Sequence, residues 1–152
     1  MFKKMPILLL FFFIFYLSFG DLYSKDEYFL TLRNEKVNLR QGPSFDYPIK
    51  LFYKKKFLPL LVQDTSDNFR KVRDHENNSG WVHISQLSKR KAAIVIEEEL
   101  VLFSNSSIFS NPVALLKEGR LVKISKCKIK WCKVKTGKYK GWVSKNSLWG
   151  LF

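Results

Sequence analysis

Apolar and polar residues alternate over short stretches of this chain, and each stretch ends in turn chemistry. Val37-Asn38-Leu39-Arg40 has the period of two of a half-buried strand and breaks at Gln41-Gly42-Pro43-Ser44, where Gly frees the backbone and Pro fixes its own. Phe45-Asp46-Tyr47-Pro48 continues that loop, because a residue before proline avoids the helical region. Ile49 to Phe52 predicts a strand, Lys54-Lys55-Lys56 an exposed turn, and Leu58 to Val62 a strand despite Pro59. Gln63 to Asn68 predicts a polar turn, Phe69 to Arg73 a strand, Asp74 to Ser79 a turn, and Gly80 to Ile84 a last short strand. Tyr28 to Leu32 is a candidate first strand. Short strands at this spacing predict a small barrel. Beyond the N-terminal segment, nothing longer than a helical turn at Ser85 to Leu87 or Lys145 to Leu148 is expected.

The pattern is written twice. Gly80-Trp81-Val82 returns as Gly141-Trp142-Val143, and Phe69-Arg70-Lys71-Val72 as Trp131-Cys132-Lys133-Val134, at offsets of 61 and 62 residues. Leu100 to Phe103, Val113 to Leu116, Leu121 to Cys127 and Trp131 to Lys135 are the predicted strands of the second copy, with Pro112 in the place of Pro48. Ala92 to Ile96 either starts that copy or bridges to it, after a basic hinge at Ser88-Lys89-Arg90-Lys91. A unit of roughly 60 residues hides only about 60% of its unfolded surface, so the two are expected to dock or to be stapled.

The N-terminus follows a different rule. Met1-Phe2-Lys3-Lys4 is basic, Ile7 to Phe19 is apolar except for Ser18, and Ser18 and Gly20 are small residues just before Asp21. This is the three-part form of a secretory signal peptide over residues 1–20, and its apolar run is short of the ~20 residues that span a bilayer. The expected mature chain has no stable membrane span and lies in the periplasm or outside the cell. Composition agrees with folded domains, at 46% hydrophobic and 16% aromatic. The formal net charge is +14, and +12 without Lys3 and Lys4, which steers the chain towards anions. For an exported protein those are envelope polymers, lipid head groups and acidic proteins. Nucleic acid is not expected as a partner.

Val37-Asn38-Leu39-Arg40-x-Gly42-Pro43-Ser44, Tyr47-Pro48-Ile49, Phe69-x-Lys71-Val72 and Gly80-Trp81-Val82-His83 together resemble the bacterial SH3-like (SH3b) domain. The second unit resembles the divergent partner seen behind such domains, through Trp131-Cys132-x-Val134, Gly141-Trp142-Val143 and Leu148-Trp149-Gly150. It departs at Ser104-Asn105-Ser106-Ser107, where the first unit has Arg40-x-Gly42-Pro43. The resemblance implies an all-β fold of two tandem SH3-like five-stranded barrels, over residues 28–90 and 94–152. It also implies a non-enzymatic module of exported envelope proteins, often one that targets peptidoglycan. A shallow groove would then draw on Arg40, Phe45, Tyr47, Phe69 and Trp81 in the first unit, and on Trp131 with Tyr139 or Trp142 in the second. Strand alternation sends Phe69 and Trp131 to the face opposite Val72 and Val134, so both are expected to be exposed, whereas Trp81 and Trp142 are expected to pack in the core or at its rim.

Cys127 and Cys132 flank a predicted hairpin turn, and in an oxidising compartment that spacing suggests a disulfide rather than two free thiols. His75 and His83 lie in the other unit, and Glu97-Glu98-Glu99 are consecutive, so neither a metal set nor a catalytic constellation assembles in the sequence. No cofactor, metal or enzymatic activity is expected. The lysines crowd the second unit, among them Lys123, Lys126, Lys128, Lys130, Lys133, Lys135, Lys138 and Lys140. They are read as solvating strand edges and drawing the protein to anionic envelope polymers. The expected partner is an envelope glycan or, alternatively, an extended peptide of an envelope protein.

Overall fold

The computed structural model describes residues 26–152, so the expected signal segment lies outside the described residues. The first unit comprises β1 (Tyr28–Leu32), β2 (Val37–Arg40), β3 (Ile49–Tyr53), β4 (Pro59–Ser66), β5 (Phe69–Arg73), β6 (Ser79–His83) and β7 (Leu87–Ser88), in the sheet order β3-β2-β6-β5-β4-β1-β7. The second comprises β8 (Ala92–Val95), β9 (Glu99–Phe103), β10 (Pro112–Lys117), β11 (Leu121–Cys127), β12 (Trp131–Thr136), β13 (Tyr139–Ser144) and β14 (Leu148–Trp149). Its order, β10-β9-β13-β12-β11-β8-β14, is the first one again. The chain is thus two tandem antiparallel barrels of one topology. Single 3-10 turns at Ile84–Gln86 and Lys145–Ser147 lead into the last strand of each.

Alternation builds the cores as the sequence leads one to expect. Val37, Leu39, Val72 and Val82 are fully buried in the first barrel, and Leu102, Val122, Val134 and Val143 in the second. The largest boundary difference is in β4. Gln63 to Ser66 are strand, not turn, because the β4–β5 hairpin pairs on past the core, Asp64 opposite Lys71 and Thr65 opposite Arg70. A bulge after Val62 allows this, and the second hairpin repeats it after Ile124. Polar residues there read as a turn because the core no longer demands apolar ones.

The barrels dock on each other. Ile94 of β8 is fully buried within the first core, Phe29 stacks edge-on to Trp149 at 5.0 Å, and Lys55 donates to the Gly119 carbonyl at 3.0 Å. The basic segment after β7 is held rather than loose: Thr31 Oγ1 donates to the Arg90 carbonyl at 2.9 Å and the Lys91 carbonyl accepts from Ile124 N–H at 2.9 Å. Among the described residues, the two cores run from Leu30 to Leu151.

The β5–β6 turn of the first barrel is organised by one buried acid. Asp74 is 1% exposed and accepts from Glu76 N–H (2.9 Å), Asn78 N–H (2.8 Å), the Asn78 side-chain amide (2.9 Å) and the Tyr53 hydroxyl (3.0 Å). Burial first, and then the charge of Asp74, push the Tyr53 hydroxyl well above the usual phenol range, so it remains a donor. Asp74→Ala strands those donors and is expected to destabilise the first barrel by roughly 3 kcal/mol, with a smaller loss for Tyr53→Phe. Urea midpoints check both; equal midpoints for Asp74→Ala and the parent would count against this role.

Candidate functional site

On the outer face of the first barrel a cleft of about 350 Å³ is lined by Lys36, Asn38, Arg40, Phe45, Phe69, His83, Ser85 and Gln86. Strand geometry explains most of this set. Asn38 and Arg40 take the outward phase of β2, because Val37 and Leu39 take the inward one. Phe69 of β5 is directly opposite His83 of β6, and both point away from Val72 and Val82. The β2–β3 loop then folds back across them.

Arg40 holds that loop in place. Its Nη1 donates to the carbonyls of Phe45 (3.0 Å) and Tyr47 (2.8 Å), and its guanidinium lies 5.4 Å from the centre of the Phe45 ring. Phe45 meets Phe69 edge-on at 5.2 Å and tilts against His83 at 5.1 Å, while Phe69 and His83 meet edge-on at 5.1 Å. Phe69 is consequently buried, at 6% exposed, which corrects the expectation that it stands free. It does leave the core face as alternation requires, but Phe45, at 64% exposed, lies over it. Phe69 is the floor and Phe45 the accessible ring. Ser85 N–H donates to His83 Nδ1 at 3.3 Å, and Ser85 Oγ lies 2.8 Å from the same nitrogen.

Of the residues expected to form a groove, Arg40, Phe45 and Phe69 come together in this cleft. Tyr47 and Trp81 do not line it. The Tyr47 ring lies over Gly42, where a Cβ would be 2.5 Å from it, and Trp81 sits two residues along β6 from His83, opposite Lys71 and Arg40. Lys36, Asn38, His83, Ser85 and Gln86 were not singled out as site residues. The spacing of Lys36, Asn38 and Arg40 at alternate positions is the signal that marks the first two as one face. Among the described residues, no three His, Cys, Asp or Glu side chains come together to hold a metal ion.

The second barrel keeps the loop and changes its surface. Gln41 N–H bonds the Pro48 carbonyl (3.0 Å) and Asp46 N–H the Ser44 Oγ (3.0 Å); Ser104 N–H bonds the Asn111 carbonyl (2.9 Å) and Phe109 N–H the Ser107 Oγ (3.2 Å). Asn111, not Pro112, therefore takes the place of Pro48. Where Tyr47 covers Gly42, Ser110 Oγ instead donates to the Asn105 carbonyl at 3.1 Å, so a side chain at that position is tolerated. Phe103 stands where Arg40 does, opposite the Trp of β13, and meets the half-buried Trp131 edge-on at 5.9 Å. Trp142 is 6% exposed, but on the outer face, with the ammonium groups of Lys126, Lys128 and Lys133 between 4.9 and 5.8 Å from its ring. Tyr139 lies in the exposed first residue of β13 and pairs with Thr136.

Cys127 and Cys132 form a disulfide between directly opposed positions of β11 and β12. Cys132 is fully buried in the second core and Cys127 is exposed, so the bond ties the hairpin tip to the core. Breaking it is expected to lower the stability of the second barrel by about 2 kcal/mol. Alkylation of unfolded, unreduced protein should label neither cysteine, and two labels would contradict the bond.

A family model described as the bacterial SH3 domain matches the chain twice, over residues 33–89 and 97–150. Both matches begin after the first strand of the barrel, which the structure adds. Among solved structures, the chain is similar to NlpC2 from Trichomonas vaginalis (13% identity, 84% of this chain and 49% of that one, TM-score 0.37) and NlpC1 from the same organism (14%, 95% and 50%, TM-score 0.37). It is also similar to an NlpC/P60 family protein from Bacillus cereus ATCC 10987 (12%, 80% and 55%, TM-score 0.36). It spans about half the length of those chains. No curated protein matches it.

Proposed function

This chain belongs to the bacterial SH3 domain family, in two tandem copies, and from that premise we propose that it is a non-enzymatic binding module of the cell envelope, periplasmic or secreted, whose first barrel reads peptidoglycan or a related glycan. The disulfide is consistent with life outside the cytoplasm. The observation that carries the ligand class is the cleft. An exposed aromatic ring stands on an aromatic floor, and Lys36, Asn38, His83, Ser85 and Gln86 supply donors and acceptors along its walls. A sugar offers the complement of both, an apolar ring face and a rim of hydroxyls. In the second barrel Val101 and Phe103 stand in the places of Asn38 and Arg40, and that barrel acts here as docked support.

Co-sedimentation with purified sacculi tests this reading. The protein should pellet at moderate salt and continue to do so at high salt, and Phe45→Ala should release it roughly tenfold more readily, since stacking on one ring contributes ~1–2 kcal/mol. Absence from the pellet at moderate salt sinks the glycan reading. Loss of pelleting with salt alone would assign the attraction to the lysines.

A further inference from the structure

The two copies serve as controls for each other. Register places Asp64, Ser66, Asp67 and Asn68 of the first β4–β5 hairpin at the positions of Lys126, Lys128, Ile129 and Lys130 of the second. Loop hydrogen bonds place Asp46 at the position of Phe109. At both tips an acid of the first barrel is thus a large apolar residue in the second, and the hairpin around one of them has turned from acidic to basic. The fold needs none of this, because the first barrel forms without it.

These apolar side chains point into solvent. Ile129 is 93% exposed, Phe109 92% and Ile108 65%. The two tips are joined, since Lys128 Nζ donates to Ser106 Oγ at 3.1 Å and the Phe103 and Trp131 rings stack between them. The disulfide limits the freedom of the hairpin that carries Ile129. Lys126, Lys128, Lys130, Lys133 and Lys145 surround this end, where the Lys145 N–H bonds the Lys130 carbonyl at 2.9 Å. The carboxylates of this barrel, Glu97, Glu98, Glu99 and Glu118, gather instead at the far end of β9, about 13 Å along the strand from Phe103.

We infer that this end of the second barrel docks on the surface of an anionic phospholipid bilayer, with Phe109 and Ile129 entering the interface and the lysines lying against the head groups. The pairing of charge with apolar tips decides for a bilayer over a soluble polyanion, which has no apolar layer to receive them. Either signal alone holds weakly, and the two together hold a peripheral protein.

The experiment is vesicle flotation of the chain of residues 26–152, which holds both cores and omits the apolar N-terminal run. It should float with vesicles of phosphatidylcholine containing about 30 mol% phosphatidylglycerol, and remain behind with phosphatidylcholine alone. The double variant Phe109→Asp/Ile129→Asp, which restores the acids of the first barrel, should lose at least about tenfold in vesicle affinity (a change of ~1.4 kcal/mol) with its thermal melting unchanged. Its binding to soluble polyphosphate should fall less. Absence of flotation with the anionic vesicles overturns the inference. So does a double variant that loses no more on vesicles than on polyphosphate, which would leave an electrostatic contact with acidic polymers. Neither result bears on sacculus binding, which rests on the other barrel.

Discussion

Gly141→Ala is expected to destabilise the second barrel severely, and Gly80→Ala the first. A Cβ on Gly141 would lie 2.4 Å from the Phe103 carbonyl oxygen and 2.8 Å from Leu102 Cγ. At Gly80 it would lie 2.6 Å from the Arg40 carbonyl oxygen and 2.7 Å from Leu39 Cγ. These atoms belong to the neighbouring strand, and Leu39 and Leu102 are fully buried, so relief requires β2 or β9 to move off β6 or β13. Overpacking of this kind costs about 3 kcal/mol or more. A barrel of ~60 residues has only about 3–9 kcal/mol in total. The loss therefore takes a third of the stability at the least. Thermal unfolding followed by tryptophan fluorescence reads it, and a melting point unchanged from the parent in either variant would show that the strands can part at little cost.

Arg40→Ala is expected to cost at least about tenfold in sacculus binding while costing the fold only ~1–2 kcal/mol. The arginine itself makes two bonds to loop carbonyls and lies against Phe45, so its removal frees the loop and the ring the ligand would stack on. Both acceptors reach solvent once released, which keeps the folding cost small. Arg40→Lys should not restore binding, because one ammonium cannot reproduce a planar fork that spans two carbonyls and a ring. Pelleting of Arg40→Ala at the parental level would separate the loop from the ligand and leave Phe69 and His83 as the remaining contacts.

Several features were legible because they depend on neighbours along the chain. Alternation at Val37 to Arg40 and Phe69 to Arg73 placed strands and core residues, and the doubled Gly-Trp-Val placed two barrels of one topology. The disulfide followed from two cysteines across one hairpin. What escaped depends on contacts between distant segments. Alternation tells which face Phe69 leaves from but not that Phe45 returns to cover it. Pro112 looked like the counterpart of Pro48, whereas the loop hydrogen bonds count to Asn111.

The strands, the repeat, the inward-facing residues and the chemistry available to each half follow from the order of amino acids alone, because period and turn chemistry act over a few residues. Which outward-facing residues meet depends on the folded chain. Arg40, Phe45, Phe69 and His83 come from three strands and a loop, and their convergence is set by register and by one loop folding back. The same holds for the second barrel, where Phe109 and Ile129 become one surface only because the β9–β10 loop and the β11–β12 hairpin end side by side.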